Sequence, residues 1–213
     1  MSAAVEHNAP EVQPYRTGLN PNLMGLIIFL VSELALFGAF FMYYGHMRFI
    51  GKVDYPGAFH IPANETSINT LILVLSSFTA EFALLALLKR HNAGVFFSLL
   101  ATFILGSIFL GLQVHEYMIL GFTPQDTAVG SIFFSLTGLH GLHVFVGLVL
   151  LLLAMIRTCT HKWTPEKHTG LLGISVYWHF VDIVWIIIFT AVYLIEYLGA
   201  SGFWAPAAAP AIQ

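Results

Sequence analysis

GSIFFSLTGLHGLHVFVGLVLLLLAMI, residues Gly130–Ile156, decides the fold. It runs for 27 residues without an Asp, Glu, Lys or Arg. A bilayer core about 30 Å thick asks for roughly 20 mainly apolar residues in a helix, whereas buried helices of soluble proteins rarely need so long a run. Strands are excluded, because a membrane strand needs only about 9–11 residues and this stretch is far longer. Two histidines, His140 and His143, interrupt the run one turn apart.

Working outward, four further stretches have the same character. They cover residues 22–47 after Asn20-Pro21, 67–88 before Lys89-Arg90-His91, 94–120 before Gly121 and Pro124, and 170–198. The expected architecture is an all-α integral membrane protein, a bundle of five transmembrane helices spanning 22–198. Residues 1–21 read as a tail loosened by Pro10, Pro14 and Pro21, without the basic start and apolar core of a cleaved signal. Residues 199–213 read as an Ala/Pro-rich tail.

Composition agrees with the spans. Of 213 residues, 58% are hydrophobic and only 9% charged, against about 25% charged in a soluble domain. That excludes a water-soluble globule and a disordered chain. Eight Lys+Arg against eleven Asp+Glu leave a net charge of −3, which gives no basic surface for nucleic acid. A single cysteine excludes a disulfide framework and a Cys-rich metal centre. Phosphate loops, dinucleotide fingerprints, nucleophile elbows and HExxH are absent from the sequence.

The basic residues set an expected orientation. With the N-terminus inside, Arg16, Lys89, Arg90, Arg157, Lys162 and Lys167 fall on the cytoplasmic side, and Arg48 and Lys52 fall outside. The positive-inside rule then predicts N-terminus inside and C-terminus outside.

Polar residues within the spans carry the functional signal. Thr70, Ser77 and Glu81 recur at helical spacing in the second span. Thr102, Gln113 and Glu116 do so in the third, His140 and His143 in the fourth, and His179 and Asp182 in the fifth. Glu33 stands in the middle of the first. An ionisable group at the bilayer centre costs about 2.5–3.5 kcal/mol on insertion scales, so such residues turn inward, pair or stay neutral. Glu33 is therefore either a proton-handling acid or an interhelical hydrogen-bonder. His140, His143, His179 and Asp182 are expected to share a hydrogen-bond network between the last two helices. The same residues also fit a metal site, or a haem held by a histidine pair.

Several stretches together resemble subunit III of the haem-copper terminal oxidases in its short, five-helix form. They are PNLMGLIIFLVSELALFGAFFMYY (Pro21–Tyr44), SINTLILVLSS (Ser67–Ser77), LGSIFLGLQVHEYM (Leu105–Met118), GSIFFSLTGLHGLHVFVGL (Gly130–Leu148) and YWHFVDIVWIIIF (Tyr177–Phe189). The resemblance implies a non-catalytic accessory subunit of an aerobic respiratory cytochrome c oxidase. Such a subunit stabilises the catalytic subunit and supports proton uptake during oxygen reduction. It implies no haem or copper on this chain, those groups belonging to the partner subunits I and II, and room for structural phospholipid. Glu33 matches the family's buried carboxylate that reacts with hydrophobic carbodiimides. Glu81, Gln113, Glu116, His140, His143, His179 and Asp182 form the expected intramembrane polar set, without a catalytic duty. Longer members have seven spans, and the resemblance starts at the third. The expected location is an energy-coupling membrane, in the first instance a bacterial plasma membrane. A quinol-oxidase subunit III and an accessory protein of nitric oxide reductase are the neighbouring alternatives. A self-contained haem protein and a proton channel are the alternatives of another class.

Overall fold

The computed structural model describes residues 20–50, 63–160, 163–164 and 168–200, and they are almost wholly helical. Five long apolar helices of transmembrane length are present. They are α1 (Pro21–Gly45), α2 (Ala63–Leu88), α3 (Asn92–Ile119), α4 (Ala128–Cys159) and α5 (Thr169–Ile188). Helix α1 runs on into a π-helical stretch, His46–Ile50. Helix α5 continues through a second π stretch, Phe189–Leu194, into a short α6 (Ile195–Ala200). Both terminal tails of the sequence reading lie outside the described residues, except Asn20, Pro21, Gly199 and Ala200.

Local chemistry explains where the helices begin. The Asn20 side chain accepts a hydrogen bond from the Asn22 amide, with Pro21 in the first helical turn. Thr127 accepts from the Gly130 amide at 3.0 Å and so starts α4. At α3 the cap is a ring nitrogen: the Gly94 amide donates to His91 Nδ1 at 2.9 Å. Four of the five long helices extend beyond the apolar runs at their N-terminal ends by one or two residues, and α2 by four. Caps and first turns are polar and therefore invisible to an apolar-run criterion.

The main packing contacts place α2 against α3, α5 against α1, α2 and α4, and α4 against α1, α3 and α5. The bundle is thus two layers, with α1, α5 and α2 in one and α4 and α3 in the other. Lipid tails are as apolar as leucine, so close packing and interhelical hydrogen bonds hold such a bundle together. Trp178 supplies the tightest packing. A Cβ at Gly106 of α3 would come within 2.6 Å of its ring, and one at Gly147 of α4 within 2.8 Å. Only glycine lets all three helices meet there. The Trp178 indole N–H donates to Ser76 at 2.9 Å, and Trp185 donates to Thr70 at 3.0 Å, tying α5 to α2. Thr79 and Thr102 bond across α2 and α3 at 2.7 Å, and Tyr117 donates to Thr137 across α3 and α4 at 2.7 Å. Outward, large apolar side chains such as Ile28, Val31, Phe97 and Leu142 are exposed, as a lipid-facing surface requires.

Candidate functional site

The polar residues assemble into three separate clusters. The first lies at the middle of the bundle. Glu33 is the thirteenth of the 25 residues of α1, and His143 the sixteenth of the 32 of α4. Glu33 Oε2 lies 3.1 Å from His143 Nε2. The other ring nitrogen, Nδ1, lies 2.8 Å from the Leu139 carbonyl. That carbonyl can only accept, so Nδ1 carries the hydrogen and the ring is held in one orientation. Nε2 then faces the carboxyl group, and a single proton shared across that gap would bind the two groups to each other. Phe37, one turn beyond Glu33, packs its ring 5.2 Å from the His143 ring, and Tyr177 donates to the His143 carbonyl at 3.1 Å.

The second cluster joins α5 to α2. Ser77 bonds Asp182 Oδ2 and lies 3.1 Å from His179 Nδ1. His179 Nε2 lies 3.6 Å from Glu81 Oε2. The chain of groups begins at a buried carboxylate, Asp182, and ends at the half-exposed Glu81.

The third cluster lies toward the end of the bundle formed by the start of α2 and the end of α3. Glu116 is buried and accepts from Tyr193 at 2.7 Å and from Thr66 at 3.3 Å, one bond to each carboxylate oxygen. Asn69 donates to the Phe109 carbonyl at 3.3 Å, while its own oxygen has no hydrogen-bond partner. A cavity of about 40 Å³ lined by Glu65, Thr66, Asn69, Leu112, His115 and Glu116 adjoins this cluster. Such a polar cavity is large enough to hold water.

The single network expected among His140, His143, His179 and Asp182 does not form. Residues three apart on a helix point about 60° apart, which is enough to face different neighbours. His143 faces α1. His140 is fully buried with neither nitrogen hydrogen-bonded, its ring 5.9 Å from Phe109 and 4.9 Å from Trp185. His179 and Asp182 turn to α2 instead. Among the described residues no three His, Cys, Asp or Glu side chains converge as a metal site would need. Tyr193, Thr66 and Ser76 are partners that the apolar-run reading passes over, because hydroxyls on a mostly apolar helix look unremarkable until a carboxylate or indole is placed against them.

These features define a class: a multi-pass membrane protein whose polar groups bind its own helices to one another. The comparisons with known proteins make the assignment specific. The family model for cytochrome c oxidase subunit III matches residues 7–197, and the chain belongs to that family, in its five-helix form. It is 37% identical over 174 residues to a cytochrome c oxidase subunit 3 of Thermostichus vulcanus, covering 81% of this chain and 87% of that one. It is 35% identical over 207 residues to a probable cytochrome c oxidase subunit 3 of Mycobacterium bovis, covering 92% of this chain and the whole of that one. A cytochrome c oxidase subunit 3 of Heterololigo bleekeri is 38% identical over 177 residues, 80% of this chain and 68% of its own length. The chain is thus a multi-pass protein of a respiratory membrane, in a family that generally lacks redox centres, and its membership implies a complex with subunits I and II.

Proposed function

We propose that this chain is the accessory subunit that steadies the oxygen-reducing catalytic subunit of a cytochrome c oxidase and sustains its proton uptake. The observation that carries the reading is the Glu33–His143 pair midway along α1 and α4, 3.1 Å apart, which on this reading holds one proton between its two groups. A neutral pair can stay in hydrocarbon where an isolated carboxylate could not. A carboxyl group so placed also suits attack by an apolar carbodiimide, which needs the protonated acid. On this reading the chain carries no haem or copper of its own, and the electron enters through its partners. The N-terminus lies inside and the C-terminus outside, as the basic residues suggest, in a bacterial plasma membrane. The Asn20–Thr169 hydrogen bond, 3.2 Å, holds the starts of α1 and α5 at one face. Structural phospholipid has an apolar groove of about 660 Å³ between α3 and α4, lined by residues such as Phe103, Leu110, Phe145 and Val149.

The test removes the subunit from the purified oxidase. Normal haem spectra and a normal initial rate, followed by faster loss of activity per turnover, are expected. Collapse of the haem spectrum on removal would overturn the accessory role. In the intact complex, a hydrophobic carbodiimide should label Glu33 and spare Glu33→Gln; equal labelling of both places the reactive acid elsewhere.

A further inference from the structure

Glu81 and His179 present a problem that the bundle alone does not solve. Their side chains are 53% and 37% exposed, yet both lie within apolar membrane-spanning helices. At 1.5 Å per residue, Glu81 lies about 8 Å from the midpoint of α2, inside the roughly 15 Å half-thickness of the hydrocarbon. The end of α2 nearer to Glu81 is its C-terminus at Leu88. Helical side chains lean toward the N-terminus, so Glu81 leans away from the closer membrane surface and cannot readily reach headgroups. It also faces His179 at 3.6 Å, and His179 is itself positioned through Ser77 by the buried Asp182. Exposed carboxylates at this depth are ordinarily turned to protein or water.

We infer that the α2–α5 face around Glu81 and His179 docks on a membrane-spanning helix of the oxidase's catalytic subunit, which offers Glu81 a hydrogen-bond donor at the same depth. The inference rests on the accessory-subunit reading above. The apolar rim suits such a helix: Phe78 and Leu85 on α2 and Ile183 on α5 are exposed on either side of the pair. A polar contact within an apolar rim gives a helix interface its register, because a donor one turn out of place would leave both groups unpaired in hydrocarbon. The remaining acceptor capacity of the Glu81 carboxylate selects the partner: a basic, hydroxyl or indole donor, and not another acid.

The test uses the intact oxidase, purified through a tag on its catalytic subunit, with a photo-crosslinking residue in place of Phe78 or Leu85. Adducts with the catalytic subunit are expected at both positions, and none with it at Phe145 on α4. Glu81→Leu, which would suit a lipid-facing position, should reduce retention of this chain on the tagged complex by about tenfold or more, as loss of one member of a buried polar pair does. Undiminished retention of Glu81→Leu, or adducts at Phe78 and Leu85 only with lipid or a second copy of this chain, would overturn the assigned face while leaving the accessory role standing. Failure of the unmodified chain to copurify with any haem-bearing subunit would instead overturn that underlying role.

Discussion

Replacing Gly106 by alanine tests the packing around Trp178 directly. The new methyl group would be placed 2.6 Å from the ring atom Cη2 and 2.8 Å from Cζ2, with Leu148 Cδ2 at 3.0 Å. Carbon atoms in contact prefer about 3.5–4.0 Å, so the ring must retreat by roughly 1 Å. Its room to move is small: the ring also lies against the backbone of Gly147, where an added Cβ would stand 2.8 Å from it, and the indole N–H is tethered to Ser76. Overpacking of this kind typically costs about 1–3 kcal/mol. Trp178→Leu loses the large ring contact and the hydrogen bond and is costly by itself, but it removes the obstacle. Gly106→Ala should therefore be destabilising in the normal chain and close to neutral beside Trp178→Leu, a coupling of about 1–3 kcal/mol within the range seen for residues in contact. Unfolding of the detergent-solubilised chain in SDS, followed by helical circular dichroism, measures all four variants. An equal penalty for Gly106→Ala in both backgrounds would refute the argument that the tryptophan ring is what demands glycine.

Other variants probe the polar clusters. Tyr193→Phe leaves one oxygen of the buried Glu116 without its donor and should lower stability by about 1–3 kcal/mol, read in the same unfolding assay; Glu116→Gln beside it should recover part of the loss. His143→Leu should loosen α1, which is the least buried of the five long helices, so that protease cleavage or hydrogen exchange increases in α1 before α2 and α3. His143→Gln, which can still bond Glu33, should restore much of the protection. Thr79→Val with Thr102→Val should show a coupling near 0.6 kcal/mol, the average for interhelical hydrogen bonds in a membrane bundle.

Hydropathy fixed five helices because the hydrocarbon imposes one length and one backbone solution on every span. Identities of the interior polar residues were legible too, since Glu33, Glu116, His143 and Asp182 each stand out against an apolar background. Pairings were not. Which neighbour His143 meets depends on the order of helices around the bundle, and spacing along one helix carries no information about that order. Tyr193 was hidden for another reason. On a regular helix, eight residues turn by about 80°, placing Tyr193 well to one side of Trp185. The π stretch from Phe189 advances roughly 80° per residue in place of 100°, which brings Tyr193 back nearly above Trp185, where the two rings lie 6.2 Å apart. No periodicity search at 3.6 residues finds such a residue.

That extra residue in the winding behaves as a one-residue insertion that the coil absorbs. Deleting Thr190 would let the helix relax to ordinary coiling with Tyr193 seven residues past Trp185, which keeps the phenol within about 20° of its present face toward Glu116. Relatives and designed variants should therefore accept the loss of one residue here more readily than a rewinding of the same residues as regular α-helix, which would swing the phenol by about 80°.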